Sequence, residues 1–257
     1  GFDTRSLQSS QTKSARGHGS RDRKIWPEQM GTEYKWKNPR PSRAQKAIPR
    51  SAHGHFVVQM VIGDSEDDFG QVSRCGSLAE YYTRMIVLAE RDTIDVLEQV
   101  GPLNWIDEKG RQREHYLDHV VLKQNDRKVG LSNKPFRRVS QDFGDELAQV
   151  LLDGQAKKVI DELFLVTEYA HDPVVAYNAE LMRACRDADN EADTEASTAV
   201  ASIDEPTTLA QLIEDIGLGP RGLRALVRMI QAGGLIMKEE EKISHDSLVI
   251  LAEDRHE

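Results

Sequence analysis

Glu80, Asp118 and Lys134 are the residues whose types and spacing support chemistry. Two carboxylates offer the oxygen ligands that Mg2+ or Mn2+ prefers, and such ions keep several of their waters. A lysine beside them can hold or deprotonate an attacking water and offset phosphate charge. The set suits in-line attack on a phosphodiester, with an ion activating the water and stabilising the leaving oxygen. On an alternating strand, Asn133 projects to the face opposite Ser132 and Lys134, and His119 alternates away from Asp118.

Particular elements must bring these residues together. "SLAEYYTRMIVLAE" (77–90) reads as a helix. Ser77 is its N-cap, Glu80 follows three residues later as in a capping box, and Leu78, Tyr82, Met85, Ile86 and Ala89 form one apolar stripe. Asp118 lies in a strand over 113–123, and Lys134 ends the next strand, 128–134. A tight turn at Asn125-Asp126 makes the two strands antiparallel and sets both residues at one end of the sheet. Further strands are predicted at 55–64, 94–100, 103–107 and 164–169. Helices are predicted at 143–163, with Gly154 a break point, and at 173–186, with Pro173 in its first turn. Each residue also has an ordinary role: Glu80 as a capping residue, Asp118 as an edge-strand acid, Lys134 as a strand end.

The chain has 257 residues, 39% hydrophobic and 30% charged, with a net charge of −9. That is enough for one or two domains with a core. No apolar run spans a membrane and the N-terminus has no apolar leader segment, so a cytoplasmic protein is expected. Cys75 and Cys185 make neither a disulfide framework nor a zinc site. Cys75 has no evident base beside it, Cys185 reads as a core residue among apolar helix neighbours, and no phosphate-binding GxxxxGK[ST] loop is present. His115, His119, His171 and His245 lack metal-ligand spacing and read as solvated or core histidines.

The net charge hides an asymmetry. Residues 1–50 hold twelve of the 34 Lys/Arg but only four of the 43 Asp/Glu, leaving the remainder strongly acidic. Residues 1–54 therefore read as a basic arm suited to a polyanion. In "YKWKNPRPSR" (34–43), Lys35, Lys37, Arg40 and Arg43 can contact phosphates while Trp36 packs on a base or sugar. The same segment also reads as a strap pinned to its own domain. Residues 55–186 form the central α/β domain, and 187–205, with seven acidic residues, reads as a flexible linker. In 206–257, two helices and two short strands outline a winged helix. Arg221, Arg224 and Arg228 share one face of its second helix, as a DNA-contacting face would, whereas the acidic "KEEEK" of the wing suits docking to protein.

From about Ser77 to Arg186 the sequence resembles the TnsA-type transposon-end endonucleases, members of the PD-(D/E)xK restriction-like nucleases. The resemblance rests on "SLAEYYTRMIVLAERDTIDVLEQVGPLNW", "REHYLDHVVL", "VGLSNKP" and "FLVTEYAHDPVVAYNAELMRACR", in that order. It implies a restriction-endonuclease-like mixed sheet flanked by helices, followed by a small C-terminal winged helix. Residue by residue, Glu80, Asp118 and Lys134 match the helix acid, the metal-binding aspartate and the lysine. Glu98 and Gln99 match an "EQ" pair near the site entrance. The implied activity is Mg2+- or Mn2+-dependent nicking of one strand at DNA transposon ends. The implied partners are a transposase of the TnsB type and an ATPase regulator of the TnsC type. The chain departs from the family pattern at Leu117 for Pro, at His119 for Phe, and at Ser132, where a Glu or Gln is usual; serine there is a weak metal ligand, with Asp142 or Glu146 of the following helix as a replacement carboxylate. The resulting alternative is a nuclease-fold module that binds DNA and proteins without cutting.

Overall fold

The computed structural model describes residues 38–48, 56–63 and 70–252, which pack as one unit. Lys35, Trp36, Lys37 and the rest of residues 1–37 lie outside the described residues. The architecture is mixed α/β. A hairpin of β1 (Val58–Ile62) and β2 (Gln71–Cys75) precedes α1 (Leu78–Ala89). Then come β3 (Thr93–Ile106), β4 (Gln112–Lys123), β5 (Lys128–Asn133), α2 (Gln141–Ala156), β6 (Glu162–Val166) and α3 (Pro173–Ala184).

Strands β3 to β6 form a four-stranded sheet in sequence order, antiparallel except for the parallel β5–β6 pair. The parallel pair requires a crossover, and α2 supplies it. Val150 of α2 and Ile160 pack on one face of the sheet with Val100, Leu103, Leu117 and Val120. Val87 of α1 packs on the other face with Val96, Val121, Val129 and Leu131. Gly154 permits the tight return from α2 to β6, because a Cβ there would meet Ile160 at 2.6 Å. The helix ends two residues later, short of the predicted 163. The strands predicted at 94–100 and 103–107 are one strand, irregular between Val100 and Leu103.

Residues 187–205 are not a flexible linker. Asp189 caps α4 (Asn190–Ala201), and Ala192, Ala196 and Val200 are fully buried. They recur every four residues, so they form one helical stripe, while the acidic residues occupy the solvent side. The stripe joins a core with Leu209 and Leu212 of α5 (Leu209–Ile216) and Ala225 and Leu226 of α6 (Pro220–Ala232). A short sheet in the order β7 (Thr207–Thr208), β9 (Leu248–Leu251), β8 (Leu235–Met237) completes this layer. It abuts α3, where Asn178 donates to the Glu241 carbonyl at 2.8 Å and accepts from the Ile243 N–H at 2.9 Å.

Candidate functional site

Pairing between β4 and β5 stops at His119–Leu131. Beyond it the strands splay, and the Asn133 N–H donates to Asp118 Oδ2 at 2.6 Å. The Asp118 carboxylate thus takes up a donor that the ladder no longer uses. Gln99 Nε2 donates to the other oxygen at 3.1 Å. Gln99 itself has φ of +47°, a left-handed conformation that a non-glycine residue adopts at a cost of about 1–2 kcal/mol. Backbone strain of this kind concentrates where a site over-determines the chain. A strap over residues 38–48 holds the irregularity: Gln45 N–H donates to the Gln99 carbonyl at 3.2 Å, and Gly101 N–H donates to Gln45 Oε1 at 2.6 Å.

Glu80 lies at the first turn of α1. Its Oε2 accepts from Gly76 N–H at 2.8 Å and its Oε1 from the Ser77 hydroxyl at 2.9 Å, while the Ser77 hydroxyl accepts from Glu80 N–H at 3.2 Å. The capping role read from sequence is therefore real, and it fixes the carboxylate near Asp118. Burial, and secondarily the Glu80 charge, push the Asp118 carboxyl up to about 7, against the opposing effects of the Asn133 and Gln99 hydrogen bonds and the Lys46 charge. Two carboxylates are thus held together in partly buried surroundings.

Lys134 and Ser132 lie on α2's side of the sheet. Lys134 Nζ sits 3.2 Å from the centre of the Phe143 ring on α2, a cation–π contact, rather than in an ion pair with Asp118. Buried Ser132 lies 3.3 Å from His115 Nε2, and His115 Nδ1 lies 3.0 Å from Glu146 Oε1. Where the resemblance implies a Glu or Gln, this chain has a serine–histidine–glutamate chain reaching from β5 through β4 to α2. Burial holds the His115 pKa below its usual value against the raising effect of Glu146, favouring the neutral ring. In that form Nδ1–H donates to Glu146 and Nε2 accepts from Ser132. Lack of metal-ligand spacing led sequence reasoning past His115. The signal that leads to it is positional: His115 is three residues before Asp118, in the stretch of β4 beyond its pairing with β5.

No family model matches the chain and no curated protein is found as a relative.

The remaining expected contacts fare differently. Glu98 is not at an entrance but buried, paired with Arg84 at 2.7 Å and accepting from Ser42, Ser73 and the Arg74 N–H. His119 and Asn133 do face α1's side of the sheet, Asn133 donating to Thr83 Oγ1 at 2.6 Å. Arg40 bridges to Gln71, and Arg43 pairs with Asp95 through two hydrogen bonds of 2.6 and 2.7 Å. For residues 38–48 the strap reading therefore holds. The expected open arginine face on α6 is corrected. Arg221 pairs with Asp189 and Glu191, Arg228 with Asp193, and Arg224 lies 3.8 Å from Asp187. The acidic stretch that folds into the start of α4 supplies all four carboxylates, and Arg221 holds the Asp189 carboxyl down to about 2. Cys75 is buried and its thiol is pushed up to about 12, which removes it as a nucleophile.

Among the described residues no group of three or more His, Cys, Asp or Glu has metal-holding geometry. The donor set of Asp118 and Glu80 still fits Mg2+ or Mn2+, which binds through one or two carboxylates with waters and substrate phosphate completing the shell.

Proposed function

We propose that this chain is a Mg2+- or Mn2+-dependent DNA endonuclease of the TnsA type, with a restriction-endonuclease-like central layer and a C-terminal winged helix. The observation that carries this reading is the Asp118–Glu80 pair at the splayed end of β4 and β5, with no cationic side chain among the described residues bonded to either carboxylate. Such a pair is stable at neutral pH when a cation joins it or a proton does. Asp118 and Glu80 would hold the divalent ion, which when bound supplies Lewis-acid activation of water and phosphate. Gln99 and the Asn133 N–H orient Asp118, the Gly76 N–H and Ser77 orient Glu80, and Lys134, two residues beyond Ser132, offsets phosphate charge. The C-terminal layer supports the winged-helix reading through its order of helix, strand, two helices and two strands. In this reading the protein nicks one strand at DNA transposon ends, beside a transposase of the TnsB type and an ATPase of the TnsC type.

A second reading has its own support. Ser132 stands where the resemblance implies a Glu or Gln, Lys134 rests on Phe143, and the α6 arginines are paired internally. These features suit a module of the same fold that assembles DNA and proteins without cutting. Calorimetric titration with Mn2+ separates the two. The nuclease reading expects saturable binding by the wild type, abolished in Asp118→Ala and weakened in Glu80→Gln. Absence of binding by the wild type supports the non-cutting module.

A further inference from the structure

Directly after Lys134, the chain makes a 3-10 turn, Phe136–Arg138. A second such turn, Glu168–Ala170, follows β6. The two are tied at the site's end of the sheet by Lys134 N–H to the Val166 carbonyl at 2.9 Å and Phe136 N–H to Glu168 Oε2 at 2.8 Å. This brace displays Phe136 and Tyr169 edge to face, with ring centres 5.4 Å apart. They are 57% and 77% exposed, so neither ring serves the core. Arg137 and Arg138 on the same turn are exposed, and neither guanidinium has a hydrogen-bond or ion-pair partner among the described residues. Among the described residues the carboxylate bonded to the turn is Glu168, which accepts the Phe136 N–H and is held below its usual pKa by that bond and, to a smaller degree, by the Arg137 charge.

Exposed aromatics alone mark a contact of unspecified kind. Exposed aromatics between unpaired arginines match a polyanion with flat faces, because a nucleic-acid base stacks on a ring while its flanking phosphates meet the guanidiniums. Elsewhere the chain beyond residue 50 is acidic, so the surface repels phosphate and leaves this turn as a favoured approach. We propose that Phe136, Tyr169, Arg137 and Arg138 form a nucleic-acid contact that receives an unpaired base next to Asp118 and Lys134. Its place as part of a cutting site rests on the nuclease reading. The contact gives the site a preference for DNA with an unstacked base over an intact duplex.

The test is fluorescence anisotropy with the full chain and Ca2+, using a labelled blunt DNA duplex and the same duplex with a single-stranded extension. The wild type is expected to bind the extended DNA more tightly. Phe136→Ala/Tyr169→Ala is expected to lose about tenfold on the extended DNA and little on the blunt one. Arg137→Gln/Arg138→Gln is expected to weaken both and to make the salt dependence shallower by about 1.5 in log–log slope. All four side chains are exposed, and thermal melting checks that the variants remain folded. Unchanged binding in both double variants, or no wild-type binding to either DNA, overturns the proposal and leaves the patch to a protein partner. A parallel nicking assay keeps the two readings apart. Binding that follows the expected pattern without any nicking removes the nuclease and keeps the contact. Nicking that is indifferent to both double variants removes the contact and keeps the nuclease.

Discussion

Asp118 concentrates the physical tension of the site. Its carboxyl is raised to about 7 by burial and by Glu80, so between pH 4 and 7 the folded state holds a proton that the unfolded chain releases. A raised native pKa contributes stability that is complete below the unfolded value and is lost as pH rises through 7. Thermal melting is therefore expected to show a falling Tm from pH 4 to pH 8 that Asp118→Asn flattens. At pH 8, Mn2+ is expected to raise the wild-type Tm and leave Asp118→Asn unmoved, since only the ionised carboxylate gains from the cation. A Tm indifferent to Mn2+ would contradict the role given to Asp118. The buried Arg84–Glu98 pair makes a second residue-scale prediction. Removing one partner strands the other charge, so Arg84→Met is expected to cost about 3–5 kcal/mol in urea unfolding. The positions of Asp118 on β4 and of Glu80 at the start of α1 were legible in the sequence, because alternation and capping constrain them locally. Glu98's ion pair and the His115–Glu146 contact were not, because both depend on partners from distant elements, 14 and 31 residues away.

At the scale of elements, the sequence announced those with strong local signals. Ser77 and Glu80 cap α1, and the N-terminal Pro173 and Pro220 and the αL Gly233 mark the ends of α3 and α6. Alternation located β4 and β5 within a residue or two. α4 was hidden for a physical reason. Its buried stripe is built from two alanines and a valine, whose small apolar signal is swamped by the surrounding acids. What recruits the segment is partly electrostatic, since Asp189, Glu191 and Asp193 meet Arg221 and Arg228 of α6. Ala196→Asp puts an unpaired carboxylate into that core and is expected to destabilise the protein by at least 2 kcal/mol in urea unfolding. Glu195→Ala, on the exposed side, is expected to stay within about 0.5 kcal/mol of wild type. Equal effects would mean that α4 does not pack as described.

For the whole molecule, the α/β class and the helical C-terminal layer follow from the order of elements, but the joint between them does not. A chain read as two domains on a flexible tether is one packed unit over its described residues, with α3 seated against the C-terminal layer. Urea unfolding is accordingly expected to give one cooperative transition, coincident by fluorescence and circular dichroism, and two separated transitions would contradict this packing. The charge asymmetry is also a whole-molecule property. It sets a basic arm against an acidic body and makes local cationic surface next to the site informative.

The claim tested most directly is that Asp118, Glu80 and Lys134 form a working site. The measurement is nicking of supercoiled and transposon-end DNA in Mg2+ and Mn2+, by wild type, Asp118→Ala and Lys134→Ala, with and without a partner transposase. Nicking by the wild type that falls by at least about a hundredfold in both variants, with DNA binding retained, is the expected result. DNA or partner binding without nicking under any of these conditions would contradict it and make Ser132 the mark of a site that no longer cuts.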